Sequence, residues 1–331
     1  MKISASVYSK NSSNLAETIA LLDDHGVELL HLDCKDNPQV FIDAQYIKTL
    51  TKTNLDVHLI TSNPEQYFNV IKTLQPAQIC FQWEPLLRYP QLPELKGTRK
   101  GIALKTETSL DVLEQAAGWD YVMLMSTVPG ESGGRFQKET FSRIHEVHRR
   151  FPSLKIQVDG GVNEEVAFIL RLLNIESFVS GSYLMNHEHF GHGLLSFYRI
   201  PKTEISFCVS DFMLPLTDLP IVSPDDDFKV VLEVVEQYRQ GYAMVVKNDQ
   251  LYGVISNADI RRGVLRHYDR FQNIKASDVM NRNPVTVKSD ASVTEMLQTI
   301  QEHKFVILFL PVVDRNNNLK GSILLNHLTH N

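Results

Sequence analysis

Four residues at the ends of apolar runs call for a common explanation. His31 and Asp33 stand two apart in GVELLHLDCKD, so an extended strand would place both on one face. His58 interrupts a second apolar run, LDVHLI, and Asp159 ends a third, KIQVD. Two imidazoles and two carboxylates brought together offer mixed nitrogen and oxygen ligation for one divalent metal ion, a donor set that suits zinc, iron, manganese or cobalt. Glycine supplies a second chemistry. The segments PGESGG (129–134), DGGV (159–162) and SGS (180–182) carry unshielded amide N–H groups that can cradle a phosphate without a lysine.

These groups work together only if distant segments converge. Up to about residue 185, eight strand-like runs (KISASV, ELLHLD, LDVHLI, AQICFQ, KGIAL, YVMLMS, KIQVD and SFVSG) are separated by amphipathic stretches such as NLAETIALLDDHG and QKETFSRIHEVHRRF. That alternation predicts an α/β fold, a compact (β/α)8 TIM barrel, whose site is built from the C-terminal ends of its strands. His31 and Asp33 then end strand two, His58 strand three and Asp159 strand seven. The glycine segments follow strands six, seven and eight, and SGS opens a helix.

Length and composition bound the rest. At 331 residues the chain exceeds one ordinary core, so two domains are expected. Hydrophobic content of 43% and charged content of 22% describe a globular protein. A net charge of −6 argues against a nucleic-acid partner. No apolar run reaches the roughly 18 residues a membrane span requires, and MKISASVYSK lacks the apolar core of a signal peptide, so a cytoplasmic protein with no membrane partner is expected. Cys34, Cys80 and Cys208 are scattered, which predicts reduced thiols.

Residues 1 to about 190 resemble the ribulose-phosphate 3-epimerase family. HLDCKD is similar to its HxDxMDG, LDVHLITSNPEQY to DVHLMVxxPxxY, MSTVPGESGGRF to MTVxPGFGGQxF, and IQVDGGV with VSGSYLM to IxVDGGI with VAGSAxF. The resemblance implies that His31, Asp33, His58 and Asp159 bind the metal and that Asp33 and Asp159 also serve as paired acid and base. Ser6, in ISAS, matches the family's serine near the substrate, and Gly130, Ser132, Gly133, Gly134, Gly160, Gly161, Gly181 and Ser182 fall in the phosphate segments. The implied reaction inverts C3 of a ketose phosphate, D-ribulose 5-phosphate to D-xylulose 5-phosphate, through an enediolate. Lys35 stands where the family has methionine, Asn37 where it has glycine, and Gln82 where FHxEA has histidine. Leu59 and Ile60 follow His58 where a methionine is usual, whereas Met125 is kept, and Glu131 and Ser132 replace phenylalanine and glycine. These departures leave another ketose phosphate, such as a hexulose 6-phosphate of a surface-polysaccharide pathway, as an alternative substrate, and an inactive nucleotide-sensing scaffold as an alternative role.

Beyond the barrel the chain repeats itself. SDFM (210–213) recurs as SDVM (277–280), each followed by a proline-containing stretch, an S-P-D or S-x-D helix start, an amphipathic helix and a strand–turn–strand unit. This resembles a tandem cystathionine-β-synthase (CBS) pair, a smaller α+β Bateman domain. The expected organisation is a barrel over 1–198, a linker over 199–206 and CBS copies over about 207–265 and 274–331. GVISNADIRRGV is similar to the CBS modules of sugar-phosphate isomerases and sugar nucleotidyltransferases. Gly253, Ser256 and Asp259 fit the G-x-x-[ST]-x-x-D spacing, with Arg261 and Arg262 as phosphate contacts for a regulatory nucleotide or nucleotide-sugar. The second copy has Leu324 and His327 at the key positions, so one nucleotide site at most is expected. Both resemblances imply a homo-oligomer. His187, His189 and His192 are read as a solvated turn rather than a metal site.

Overall fold

The computed structural model describes residues 1–9, 14–86, 88–90, 94–115, 118–131, 133–201 and 206–326. It divides into two compact units, Met1–Thr203 and Glu204–Asn331. Among the described residues no helix is long and apolar enough to cross a membrane.

The first unit is a closed barrel of eight parallel strands in sequence order: β1 (Lys2–Ser6), β2 (Leu29–Cys34), β3 (Asn54–Leu59), β4 (Gln78–Gln82), β5 (Arg99–Leu104), β6 (Tyr121–Met125), β7 (Lys155–Asp159) and β8 (Ser177–Ser180). β8 pairs with β1 and closes the ring. The strands are rich in Val, Ile, Leu and Phe and are buried almost throughout, as a sheet covered on both faces requires. Helices α1 (Leu15–Asp24), α2 (Gln39–Leu50), α3 (Phe68–Leu74), α4 (Glu139–Arg150), α5 (Glu164–Leu172), α6 (Ser182–Met185) and α7 (Phe190–Ser196) connect or follow them. Asn14 and Asn163 cap α1 and α5 by accepting backbone N–H groups at their first turns.

Two connections differ from the regular alternation that the sequence pattern predicts. Between β4 and β5 the described residues form no helix, because Pro85 and Pro90 remove N–H donors and disfavour helical geometry at the residues before them. Between β5 and β6 stands a 3-10 helix, Leu110–Gln115. The helix expected after SGS is α6, only four residues long.

The second unit contains two intertwined repeats. The first comprises α8 (Val209–Phe212), β9 (Leu214–Pro215), β10 (Ile221–Val222), α9 (Phe228–Tyr238), β11 (Tyr242–Lys247), β12 (Gln250–Ser256) and α10 (Asn257–Arg266). The second comprises α11 (Ala276–Val279), β13 (Val287–Lys288), α12 (Val293–Gln301), β14 (Phe309–Val313) and β15 (Leu319–Leu324). The repeated Ser-Asp has a local cause: Asp211 and Asp278 each accept the N–H of the residue capping their short helix, Cys208 and Lys275, at 2.9 Å. The longer helices start downstream of the expected serine signals, with Asp227 at the N-terminal cap position of α9, where its side chain makes no capping hydrogen bond, and Ser292 capping α12 by accepting the Glu295 N–H. One sheet runs β10-β11-β12 and the other β13-β14-β15-β9, so a first-repeat strand completes the second-repeat sheet. A bridge from Val254 to Asn281 returns the exchange.

Candidate metal centre and ligand cavities

Strand register decides which side chains meet at the barrel mouth. Pairing of β2 with β3 sets Asp33 opposite His58 and His31 opposite Asp56. His31, Asp33, His58 and Asp159 present ligand atoms that all lie within 4.8 Å of one another. His31 Nε2 is 3.4 Å from Asp33 Oδ1 and 3.8 Å from Asp159 Oδ2, and His58 Nδ1 is 3.0 Å from Asp33 Oδ1. The histidine side chains are 0% exposed, whereas those of Asp33 and Asp159 are 22% and 14% exposed, so the carboxylates alone open to solvent and to a ligand.

Whether these residues fit a cation can be asked of one atom. His31 Nε2 is buried and has no hydrogen-bond partner, a cost of about 1–3 kcal/mol that an ion at that position would remove. With the mixed donor set around it, the group fits a divalent metal. The three histidines at 187, 189 and 192 do not form such a group: His187 Nδ1 accepts the His189 N–H, and the rings of His189 and His192 pack edge to face.

The two carboxyls are driven apart in acidity by the protein's own groups. Burial raises Asp33, but His31 and His58 outweigh it and hold the carboxyl well below its usual range. Burial also raises Asp159, the Asp33 charge adds to the effect, and Asp159 is pushed up to about 6. His31 behaves oppositely to a simple buried imidazole: desolvation lowers it, yet Asp56 and Asp33 hold it well above the ordinary value.

Above the quartet lies a cavity of about 380 Å³, lined by Ser6, Asp33, Gly130, Gly133, Gly134, Asp159, Gly160, Gly161, Gly181 and Ser182. Ser132 lies outside the described residues. Gly160, at φ 111°, shows why glycine is needed, since a β-carbon there would run into the Thr127 hydroxyl. Lys35, Asn37 and Glu131 also line the cavity, and the Lys35 side chain lies against Gly130 from the opposite side of the mouth. Tyr8, Ser9, Asp43 and Thr127 are lining residues that the sequence reading passed over. Thr127 lies within the quoted MSTVPG segment and Ser9 lies three residues after Ser6, so proximity to recognised positions was the available signal.

A second cavity, of about 500 Å³, belongs to the C-terminal unit and is lined by Ser256, Asp259, Arg262, Arg266 and Asn281 together with the segment Phe305 to Phe309. Ser256 caps α10: its Oγ accepts the Asp259 N–H at 3.3 Å and donates to Asp259 Oδ2 at 2.6 Å. Arg262 donates to Asp259 Oδ1 at 2.6 Å. Burial opposes ionisation of Asp259, but the Ser256 hydrogen bonds and Arg262 outweigh it and hold its pKa below the usual carboxylate range. Arg261 and Gly253 are not among the residues lining this cavity. Arg262 and Arg266 instead bring cations to it, and Gly253 has a packing role, because a β-carbon there would lie 2.5 Å from Asn281 O. In the second copy Leu324 ends β15, and His327 is outside the described residues.

Comparison with known proteins gives these cavities a lineage. The model of the ribulose-phosphate 3 epimerase family matches residues 2–185, more than half of the chain. The chain belongs to the ribulose-phosphate 3-epimerase family. Members of this family are carbohydrate epimerases, so the chain is an isomerase by descent. A CBS domain model matches residues 209–266 and 276–330. The cytoplasmic isoform of ribulose-phosphate 3-epimerase from Oryza sativa subsp. japonica is 28% identical over 198 residues, covering 55% of this chain and 86% of that protein. The Helicobacter pylori (strain J99) ribulose-phosphate 3-epimerase is 30% identical over 204 residues, covering 57% and 92% respectively. Among solved structures, the CBS-pair protein CBSX2 from Arabidopsis thaliana is similar at 23% identity and a TM-score of 0.32, covering 37% of this chain and 92% of that one.

In this epimerase the altered positions are not scattered. Gln82, where the family has histidine, accepts from His58 Nε2 at 2.9 Å and so still contacts a residue of the quartet. Lys35, Asn37 and Glu131 cluster on the cavity wall, away from the buried histidines. The departures therefore touch what surrounds the ligand group and leave its four members in place.

Proposed function

We propose that the chain epimerises a ketose phosphate at C3, with D-ribulose 5-phosphate and D-xylulose 5-phosphate as its substrate pair. The observation that carries this reading is the pair Asp33 and Asp159, both opening onto one cavity with the glycine segments at its rim. One carboxylate takes the C3 proton, and the C–H electron pair forms a C2–C3 double bond while the carbonyl pair moves onto its oxygen. The other carboxyl delivers a proton to the opposite face, the carbonyl reforms and C3 is inverted. Such a pair needs one member that ionises readily and one that holds a proton more strongly, and the lowered Asp33 and raised Asp159 differ in that direction. A divalent ion held by His31, Asp33, His58 and Asp159 would supply Lewis-acid stabilisation of the negative charge developing on the substrate oxygens. Ser6, Gly130, Gly133, Gly134, Gly160, Gly161, Gly181 and Ser182 hold the phosphate, with Lys35 and Asn37 against the rest of the sugar.

Lys35 and Asn37 favour a second reading, in which the substrate is a longer sugar such as a hexulose 6-phosphate, whose additional hydroxyl these polar groups would meet. The C-terminal cavity takes a nucleotide or nucleotide-sugar that regulates activity or assembly, with Asp259 on ribose hydroxyls and Arg262 and Arg266 on phosphates. The homo-oligomer implied by both families belongs to the same proposal and is read by light scattering.

Incubating the metal-loaded protein with ribulose 5-phosphate in deuterated water tests the main reading. The expected product is xylulose 5-phosphate carrying deuterium at C3. Exchange only with a hexulose 6-phosphate would transfer the reaction to the longer sugar. Exchange with neither sugar would leave the nucleotide-sensing scaffold as the better account.

A further inference from the structure

We infer that Asp56 and Gln82 are positioning residues that select which ring nitrogen His31 and His58 present to the metal, an inference that rests on the metal reading above. Asp56 lies two residues before His58 on β3, is fully buried, and does not line the substrate cavity. Its Oδ2 accepts from His31 Nδ1 at 3.0 Å, from Ser4 Oγ at 2.7 Å and from Gln157 Nε2 at 2.8 Å. Ser4 lies on β1 and Gln157 on β7, so the bond from Gln157 crosses the barrel interior and ties the carboxylate to non-neighbouring strands. The Gln157 amide is itself oriented, because its Oε1 accepts from Gln78 Nε2 at 3.1 Å.

This arrangement fixes a tautomer. An oxygen that already receives two donors is an acceptor for His31 as well, so in the neutral ring, the form that can ligate, the proton sits on Nδ1 and the lone pair on Nε2. Nε2 is the buried atom without a hydrogen-bond partner, and it faces Asp33 and Asp159. For His58 the geometry is reversed. Gln82 Nε2 donates to Glu84 and to Ala103 O, so its Oε1 is the atom 2.9 Å from His58 Nε2, which must carry the proton. In the neutral ring His58 Nδ1 then holds the lone pair and faces Asp33 Oδ1 at 3.0 Å, where a bound cation would replace the proton that otherwise bridges the two atoms. His31 therefore ligates through Nε2 and His58 through Nδ1, each held from behind by a different kind of acceptor.

The test uses the full chain, measuring Zn²⁺ affinity by competition with a chromogenic chelator and recording the visible spectrum of the Co²⁺-loaded protein. Asp56→Asn and Gln82→Leu are expected to weaken Zn²⁺ binding by about 10- to 100-fold and to shift the Co²⁺ bands, with far-UV circular dichroism unchanged. Gln82→His, which restores an acceptor, is expected to recover the affinity that Gln82→Leu loses. Ser4→Ala removes a different donor from Asp56 and is expected to weaken binding far less. Wild-type affinity in Asp56→Asn, or an equal loss in Ser4→Ala, would overturn the role of Asp56. Should Asp56→Asn fail to fold, equal affinity in Gln82→Leu and Gln82→His overturns the shared principle. A wild-type protein that takes up neither Zn²⁺ nor Co²⁺ would instead overturn the metal reading itself, an outcome distinct from a metal-binding wild type with indifferent variants.

Discussion

At the barrel mouth the buried Nε2 of His31 has no partner, whereas in the C-terminal cavity the Asp259 carboxylate already holds Ser256 and Arg262. The first set of groups lies on strands locked by eight-fold pairing and is arranged for something not supplied by the chain. The second lies at a helix start, satisfies itself, and must surrender an ion pair before Asp259 can bind a ligand. A preorganised site favours tight binding and chemistry, because its donor atoms are already gathered before the ligand enters. A self-satisfied one binds more weakly, because a ligand of Asp259 would compete with the Ser256 and Arg262 contacts already made.

Substitutions at the two sites should separate these behaviours. The largest effect is expected from Asp33→Asn and Asp159→Asn, each removing one proton carrier; C3 deuterium exchange should fall by about 10²- to 10⁴-fold with the melting temperature little changed. Near-wild-type exchange in either variant would break the contrast on the catalytic side. The pH dependence of metal affinity should follow. Because Asp56 and Asp33 hold His31 well above the ordinary value of 6.5, protons compete with the ion for Nε2 and apparent Zn²⁺ affinity should decline with acidification beginning above pH 6.5. An affinity flat from neutrality down to that pH would contradict the assigned surroundings of His31.

Smaller effects belong to the C-terminal unit. Gly253→Ala forces a β-carbon to within 2.5 Å of Asn281 O and should cost about 1–3 kcal/mol in unfolding of that unit, read by denaturant titration, with exchange activity of the barrel retained. Ser256→Ala should be mildest, about 1 kcal/mol from the lost cap of α10, and, if the C-terminal cavity takes the proposed nucleotide, should weaken binding of AMP used as the probe in isothermal titration. Unchanged AMP binding in that variant would sharpen the contrast by removing Ser256 from the ligand site.

Much of the barrel was legible because short, nearly continuous apolar runs and the strand-end rule of this fold locate the same residues. His31 and Asp33 sit two apart, and once strand seven is recognised Asp159 falls at its end. What escaped notice depended on pairing between strands. Asp56 stands two residues before His58, the same spacing as His31 and Asp33, but only the β2–β3 register shows that it faces His31. Gln82 read as a loss when compared with the family's histidine, and its amide orientation shows that an acceptor was kept. In the CBS pair, spacing identified Ser256 and Asp259, which line the cavity, but spacing along a helix start could not tell Arg261 from Arg262, whose side chains leave α10 in different directions.

The exchange of β9 into the second-repeat sheet has a consequence for how the molecule is made. The barrel can close once β8 has emerged during synthesis, because its last partner, β1, is already waiting. The CBS pair has no such early stopping point. Among the described residues Leu214–Pro215 pairs with β15, Leu319–Leu324, and with no other strand, so the first repeat must remain incomplete on the ribosome until nearly the whole second repeat has been translated. During that interval β9 is only two residues long and includes a proline, which offers a stray strand little backbone to pair with.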